Sequence, residues 1–216
     1  MQDKHLAVPG YKDYEYAYGQ SYQVAREQFA RIDIEQQCRN SDAQYQSAGT
    51  KEITIRYLNQ AYRITLPDIV VSLVNGAATI PIRDKLLILH YFITAKGTPP
   101  TNKLITFKEL PEGTVYFPTF AKRTIKPLLD NFSQEPSQLV SAGEKLGGHQ
   151  ANYGDAAVTF TPFSRVPITF ILWRGDDEFA PQASVGFDAN IRDYLPTEDI
   201  IVLCETIVWR LVRSLK

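Results

Sequence analysis

Residues 166–199 read VPITFILWRGDDEFAPQASVGFDANIRDYLPTED. The run Ile168 to Trp173 is apolar throughout and must be a buried strand or a buried helix segment. It breaks at Arg174 into a turn holding Gly175 with Asp176, Asp177 and Glu178. A second strand candidate, Ala183 to Phe187, ends in Asp188, and Tyr194-Leu195-Pro196 closes the segment. A core strand that empties into clustered carboxylates and aromatics at a glycine turn is a place where a site could be built.

Upstream, Ala157 to Phe160 reads as a neighbouring strand, reached through Pro162 and Pro167. Ile53, Ile55 and Tyr57 alternate with polar residues, as do Tyr62, Ile64 and Leu66, so residues 53–66 form a hairpin turning at Asn59-Gln60. Ile69 to Leu73 is a further short apolar piece. Leu104 to Phe107 and Val115 to Phe117 read as strands around a turn at Pro111-Glu112-Gly113. Arg39 to Lys51 is polar and turn-rich, a linker.

Helices are expected at residues 11–36, 83–96, 120–132, 137–146 and from Pro196 onward. In the first, Tyr11, Tyr14, Tyr18, Tyr22, Ala25, Phe29 and Ile32 share one face. The second is apolar nearly all round, with Pro81 at its start, Gly97 at its end and His90 in its middle. Pro127 interrupts the third. In the last, Glu198 and Asp199 suit the positive end of the helix dipole, and Arg210, Arg213 and Lys216 suit the negative end. Hairpins and separate helices without regular strand–helix alternation indicate α+β, with a mainly antiparallel sheet, packed helices and a long N-terminal amphipathic helix. The expected organisation is a single domain over 1–216, with an N-terminal helical arm at 11–38 and a main body at 52–216.

The chain has 216 residues with a formal net charge of −1, which excludes an extended basic footprint for nucleic acid. Its two cysteines, Cys38 and Cys204, cannot form a zinc or iron–sulfur centre alone. The stretch MQDKHLAVPG has no signal-peptide core, and no run reaches the roughly 20 apolar residues of a membrane span, so a cytoplasmic location is expected. Phosphate-loop, dinucleotide, zinc-protease and serine-elbow motifs are absent.

Two readings stand open for each candidate residue. His90 is either a hydrogen-bonded core histidine or a ligand aimed into a pocket. Asp176, Asp177 and Glu178 bind a cation, act as acid and base, or simply solvate a turn. Asp188 and Asp193 form a carboxylate pair or cap a short helix. Tyr116, Phe117, Trp173, Phe179 and Tyr194 line a cleft for a flat ligand, with Arg174 pairing its polar edge, or they pack the core.

The segments LLILHYFITAKGTP, ITFKELPEGTVYFPTF with KPLLDNF, AGEKLGGHQANYGDAAVTF and RVPITFILWRGDDEFAPQASVGFDANIRDYLPTED together resemble a family of uncharacterised cytoplasmic proteins of anaerobic bacteria and archaea, defined by a domain of unknown function. The likeness runs from about the first helix to the last and is most specific from Ile168 to Asp199. Some members carry a four-cysteine iron–sulfur module that this sequence lacks. The resemblance implies organisms that rely on corrinoid enzymes, and hence a corrinoid (cobalamin-type) ligand. The usual corrinoid motif Asp-x-His-x-x-Gly is missing, so the cofactor would keep its own lower base or take His90. The leading expectation is a non-catalytic protein that binds this tetrapyrrole-type small molecule for storage, delivery or sensing. Corrinoid-dependent enzymes would then be its partners, with no nucleic acid or membrane involved. The alternatives are an enzyme pairing His90 with Asp176, Glu178 or Asp188, and an interaction module using the tyrosine face of the first helix.

Overall fold

The computed structural model describes residues 11–215, with side chains from residue 17 onward. His5, and the side chains of Tyr11 and Tyr14, lie outside that range. The first helix, α1 (Tyr11–Phe29), ends earlier than its periodicity suggests. Asp33 starts a separate α2 (Ile34–Ser41) by accepting the Gln36 amide, an N-cap that fixes a new helix axis. The stretch expected as a linker then supplies β1 (Gln44–Gln46).

Alternation does predict the hairpin. β2 (Glu52–Tyr57) and β3 (Gln60–Thr65) pair antiparallel, with Tyr57 opposite Gln60. The turn is Leu58-Asn59, both at positive φ, as a two-residue hairpin with the twist of its strands requires. With β4 (Val70–Leu73) the order is β1-β2-β3-β4. A second sheet holds β5 (Leu104–Thr106), β6 (His149–Gln150), β7 (Ala156–Phe163), β8 (Val166–Trp173) and β9 (Gln182–Asp188) in the order β5-β9-β8-β7-β6. All pairings in both sheets are antiparallel. Helix, strand and the long N-terminal helix together make the chain an α+β protein.

The second hairpin expected from the sequence does not form. β5 pairs with β9, and residues 113–120 are α4 (Gly113–Phe120). Glu112 takes a left-handed φ of 57°, which turns the chain into a helix that buries Gly113 and Phe120 and packs Phe117 on the same side. A side chain at position 113 would collide with the Phe107 carbonyl. Aromatic and β-branched content favoured a strand, and packing of Phe120 on Phe107, at 4.0 Å between ring centres, overrode it. A π-helical turn, Ala121–Ile125, joins α4 to α5 (Lys126–Phe132). Pro127 stands at the start of α5, where the wider turn precedes a residue that has no amide to donate.

One apolar core runs through both sheets and α3 (Ile82–Thr94). Tyr57, Phe163, Tyr91 and Tyr194 form a ladder of rings across it, with Tyr91 stacked on Phe163 at 4.0 Å. Pairing of β7 with β8 slips between Phe160 and Phe163, as expected where Pro162 cannot donate to the ladder. The Pro162 carbonyl instead accepts the Leu58 amide at 2.9 Å, joining the two sheets through the backbone. After α6 (Ser137–Lys145), Gly147 at φ 80° ends the helix where a side chain would strike Asn59. The final helix, α7 (Thr197–Arg213), is buried without a break from Asp199 to Val208. No helix among the described residues is long and apolar enough to cross a membrane.

Both α3 and α7 carry charges into this core. Asp84 is 3% exposed, and its carboxylate is 3.3 Å from the Arg210 guanidinium, 3.4 Å from the Tyr57 hydroxyl and 3.7 Å from Arg83. Burial raises the Asp84 pKa against the opposing pull of Arg210 and Arg83. Replacing Arg210→Met removes the nearer guanidinium from a buried carboxylate. The expected loss is about 3 kcal/mol, the range for breaking a buried pair, read as a lower urea midpoint with unchanged slope. Adding Asp84→Asn should recover part of that loss. An R210M protein as stable as the parent would show that the pair contributes nothing.

Candidate functional site

α3 and α7 run antiparallel, with His90 meeting Asp199 at one end as Arg210 meets Asp84 at the other. His90 Nδ1 lies 2.6 Å from an Asp199 carboxylate oxygen. An ionised carboxylate only accepts, so Nδ1 carries the proton and donates it. Asp199 is 7% exposed, whereas a quarter of the His90 side chain faces solvent. Among the described residues Nε2 has no hydrogen-bond partner. The imidazole is therefore held in one tautomer and orientation with its second nitrogen outward, which is how a metal-ligating or proton-accepting histidine is presented.

Tyr116 joins this end of α7. Its hydroxyl donates to Glu198 at 3.1 Å, and the neighbouring carboxylate raises its pKa. Phe117 lies deeper, half-buried, with Lys108 Nζ over its ring at 4.2 Å. One helical turn beyond His90, Ile93 and Thr94 share its face and border an open groove of about 540 Å³, whose other wall includes Asp33, Gln36 and Asn40. Gln37 and Asn40 at that wall donate to the carbonyls of Phe92, Ile93 and Ala95, completing the C-terminus of α3 in place of a basic residue.

The seven side chains read as one cofactor wall do not stand together. Tyr194 is fully buried within the ring ladder, and its hydroxyl donates to the Thr98 carbonyl at 2.5 Å. Trp173, Arg174 and Phe179 cluster at the far end of the second sheet. Trp173 pairs with Gln182 at the start of β9, while Asp188, next to the Tyr194 region, ends it. Six strand steps at 3.2–3.4 Å separate these ends by roughly 20 Å. None of the seven lines the groove or a smaller cavity of about 50 Å³ between the first hairpin and β7.

The carboxylates have structural partners. Asp176 accepts the Glu178 and Phe179 amides at 2.9 and 2.7 Å and closes the turn after β8. Asp188 accepts from the amides of Thr101, Asn102 and Asn190 and from the Thr101 hydroxyl. Asp193 holds Lys96 and Thr98. Together these last two fasten residues 96–102 against the 3-10 turn Ala189–Asp193. The partner of His90 is Asp199, and not Asp176, Glu178 or Asp188. Tyr18 and Tyr22 of the first helix pack against the core, and Tyr22 donates to the Ile69 carbonyl.

Three pairs have no local signal in the sequence that identifies the partner: His90–Asp199, Asp84–Arg210 and Arg123–Glu205. Asp199 was assigned to the helix dipole, and its pairing 109 residues away has no local signal. Glu205 on α7 pairs with Arg123 of the π-helical turn. The available hint was a carboxylate inside the apolar stretch 200–212, where a lone charge is too costly to bury.

Burial alone would raise the Asp188 pKa. The amides of Asn190, Thr101 and Asn102 and the Thr101 hydroxyl outweigh it and hold the carboxyl below its ordinary range. A folded pKa lower than the unfolded one gives stability that is present above about pH 4 and lost as pH falls through the folded value. Asp188→Asn should therefore cost about 2 kcal/mol at pH 7, with the gap to the parent narrowing in acid as pH falls through the lowered folded value. Urea denaturation at pH 7 and in acid checks this, and a gap independent of pH would refute it.

A comparison with curated proteins and with solved structures gives no match. A family model described as Domain of unknown function (DUF3786) matches residues 33–210, spanning both sheets, His90 and Asp199 and leaving α1 outside. The chain belongs to the DUF3786 family, a domain of unknown function.

Proposed function

We propose that this chain is a non-catalytic binding protein for a flat, metal-centred cofactor of corrinoid type, which His90 would hold through its metal. The observation that supports the reading is the His90–Asp199 pair, a solvent-facing imidazole whose inner nitrogen is held by a buried carboxylate. Ligating histidines take this arrangement because the carboxylate fixes the ring and raises its basicity. No group of three or more histidine, cysteine or acidic side chains among the described residues is placed to hold a bare ion. One imidazole serves as the protein's ligand where the metal brings its other donors with it, as a tetrapyrrole does. A bound corrinoid would supply a cobalt centre that a histidine nitrogen could hold.

On this reading His90 holds the metal, Asp199 orients His90, and Tyr116 with Glu198 flanks the approach. The open groove beginning at Ile93 and Thr94, of about 540 Å³, lies one turn away and is not lined by His90. Trp173, Arg174, Phe179 and Tyr194 take no part. A second reading uses the same geometry, since an Asp-held imidazole beside the Tyr116–Glu198 couple also suits proton transfer on a small molecule.

Cob(II)inamide, which lacks a lower base, separates the two. Incubated anaerobically with the protein and passed through gel filtration, it should co-elute. Its electron paramagnetic resonance spectrum should show splitting by one nitrogen. His90→Ala should abolish the splitting, and Asp199→Asn should weaken binding about 10- to 100-fold. No co-elution, or an unchanged spectrum in H90A, would overturn the proposal and leave the proton-transfer reading.

A further inference from the structure

The end of the second sheet opposite His90 gathers three of the large exposed apolar side chains. Tyr153 is 48% exposed, Trp173 40% and Phe179 64%. Two loops carry them, and the two are fastened together. Asp155 donates its amide to the Leu172 carbonyl and accepts the Arg174 amide on its carboxylate at 2.6 Å. Gly154 lies so close to Leu172 that a side chain there would be 2.4 Å from the carbonyl oxygen. Within the longer loop, Asp176 accepts two amides and donates its own to the Phe179 carbonyl. Gly175 is pressed against Pro181, where a side chain would clash at 2.7 Å. Among the described residues, none of the three rings stacks on another ring.

Rings carried on loops whose backbone is already held lose less entropy on binding, which is what makes aromatic side chains effective anchors. The charge beside them selects the partner. Residues 174–178 hold one arginine and three acids. Asp176 is used by its own turn, while the carboxylates of Asp177 and Glu178 are exposed and have no partner among the described residues. Aromatic faces next to unpaired carboxylates attract a cationic side chain on two counts, through the ring quadrupole and through direct charge.

We infer that the loop 173–181, with Tyr153, is a docking site for a basic segment of another protein, one whose lysine or arginine side chains alternate with apolar ones. The cation lies between the rings and Asp177 or Glu178, and the apolar neighbours cover Phe179. This surface is independent of His90 and stands or falls separately from the cofactor reading.

The test is an amide-resolved nuclear magnetic resonance titration of the ¹⁵N-labelled chain with a blocked Lys-Leu-Lys-Leu-Lys peptide. A blocked Glu-Leu-Glu-Leu-Glu peptide is the counterpart, and the Trp173 indole is identified by its loss in Trp173→Phe. The basic peptide should shift that indole and the amides of 153–155 and 174–181, with affinity falling as salt rises from 0.05 to about 0.5 M. The acidic peptide should shift nothing. Phe179→Ala should weaken binding at least about 10-fold, and Asp177→Asn with Glu178→Gln should weaken it and flatten its salt dependence. All three side chains are exposed, so the variants should unfold at the parent's urea midpoint. Shifts that fall elsewhere, equal binding of both peptides, or binding indifferent to these variants would overturn the inference. So would cobinamide shifting this loop, since the occupant would then be the cofactor.

Discussion

A helix buried along most of its length cannot carry charge there unless each charge finds a partner, and besides the exposed Glu198 and Arg213 α7 carries three. Asp199, Glu205 and Arg210 face three different places and are met by His90, Arg123 and Asp84. Removing one partner would leave an ion in low dielectric, which is far more damaging than losing a surface pair. The constraint dictates the rest of the packing. α3 must run antiparallel to α7 to supply both His90 and Asp84. The chain between α4 and α5 must deliver Arg123 where the π-helical turn delivers it. Apolar burial supplies the drive to collapse, but the charge pairs select one register of α7 among those that would bury the same leucines and isoleucines.

The start of α7 gathers further polar contacts that hold the chain around it. Asp199 and Glu198 begin α7, and the loop before it is fixed by Asp188 and Asp193 holding residues 96–102. That scaffold keeps the end of α3 in place, so His90 presents Nε2 from a rigid helix and not from a loop. The opposite end of the second sheet follows different rules. There the strands run out into solvent, and the carboxylate of Asp176 serves its own turn. What remains, among the described residues, is a set of exposed rings and two acids without a partner. The His90 surface, on α3 and α7, and the loop after β8 are separate and need not serve one ligand.

Short-range pattern was enough for much of this. Alternation marked β2 and β3, apolar runs marked β7, β8 and β9, and the Pro-to-Gly framing marked α3. Failures came where a neighbour distant in sequence decided. Residues 113–120 have strand-like composition and are helical because Phe120 stacks on Phe107 and β5 has β9 as its partner. The break at Asp33 was legible as a capping residue, and a continuous tyrosine and phenylalanine stripe obscured it.

Hydropathy period and residue type are enough for the α+β class, for the buried character of α3 and α7, and for His90 as the titratable residue to watch. Only the packed chain brings His90 to Asp199 and Arg123 to Glu205, and puts Trp173 at the opposite end of β9 from Asp188, roughly 20 Å away. Aromatic rings look alike in a sequence whether they share a cavity or not. Which ones meet depends on strand order and helix crossing, and these are settled by the joint burial of the whole chain.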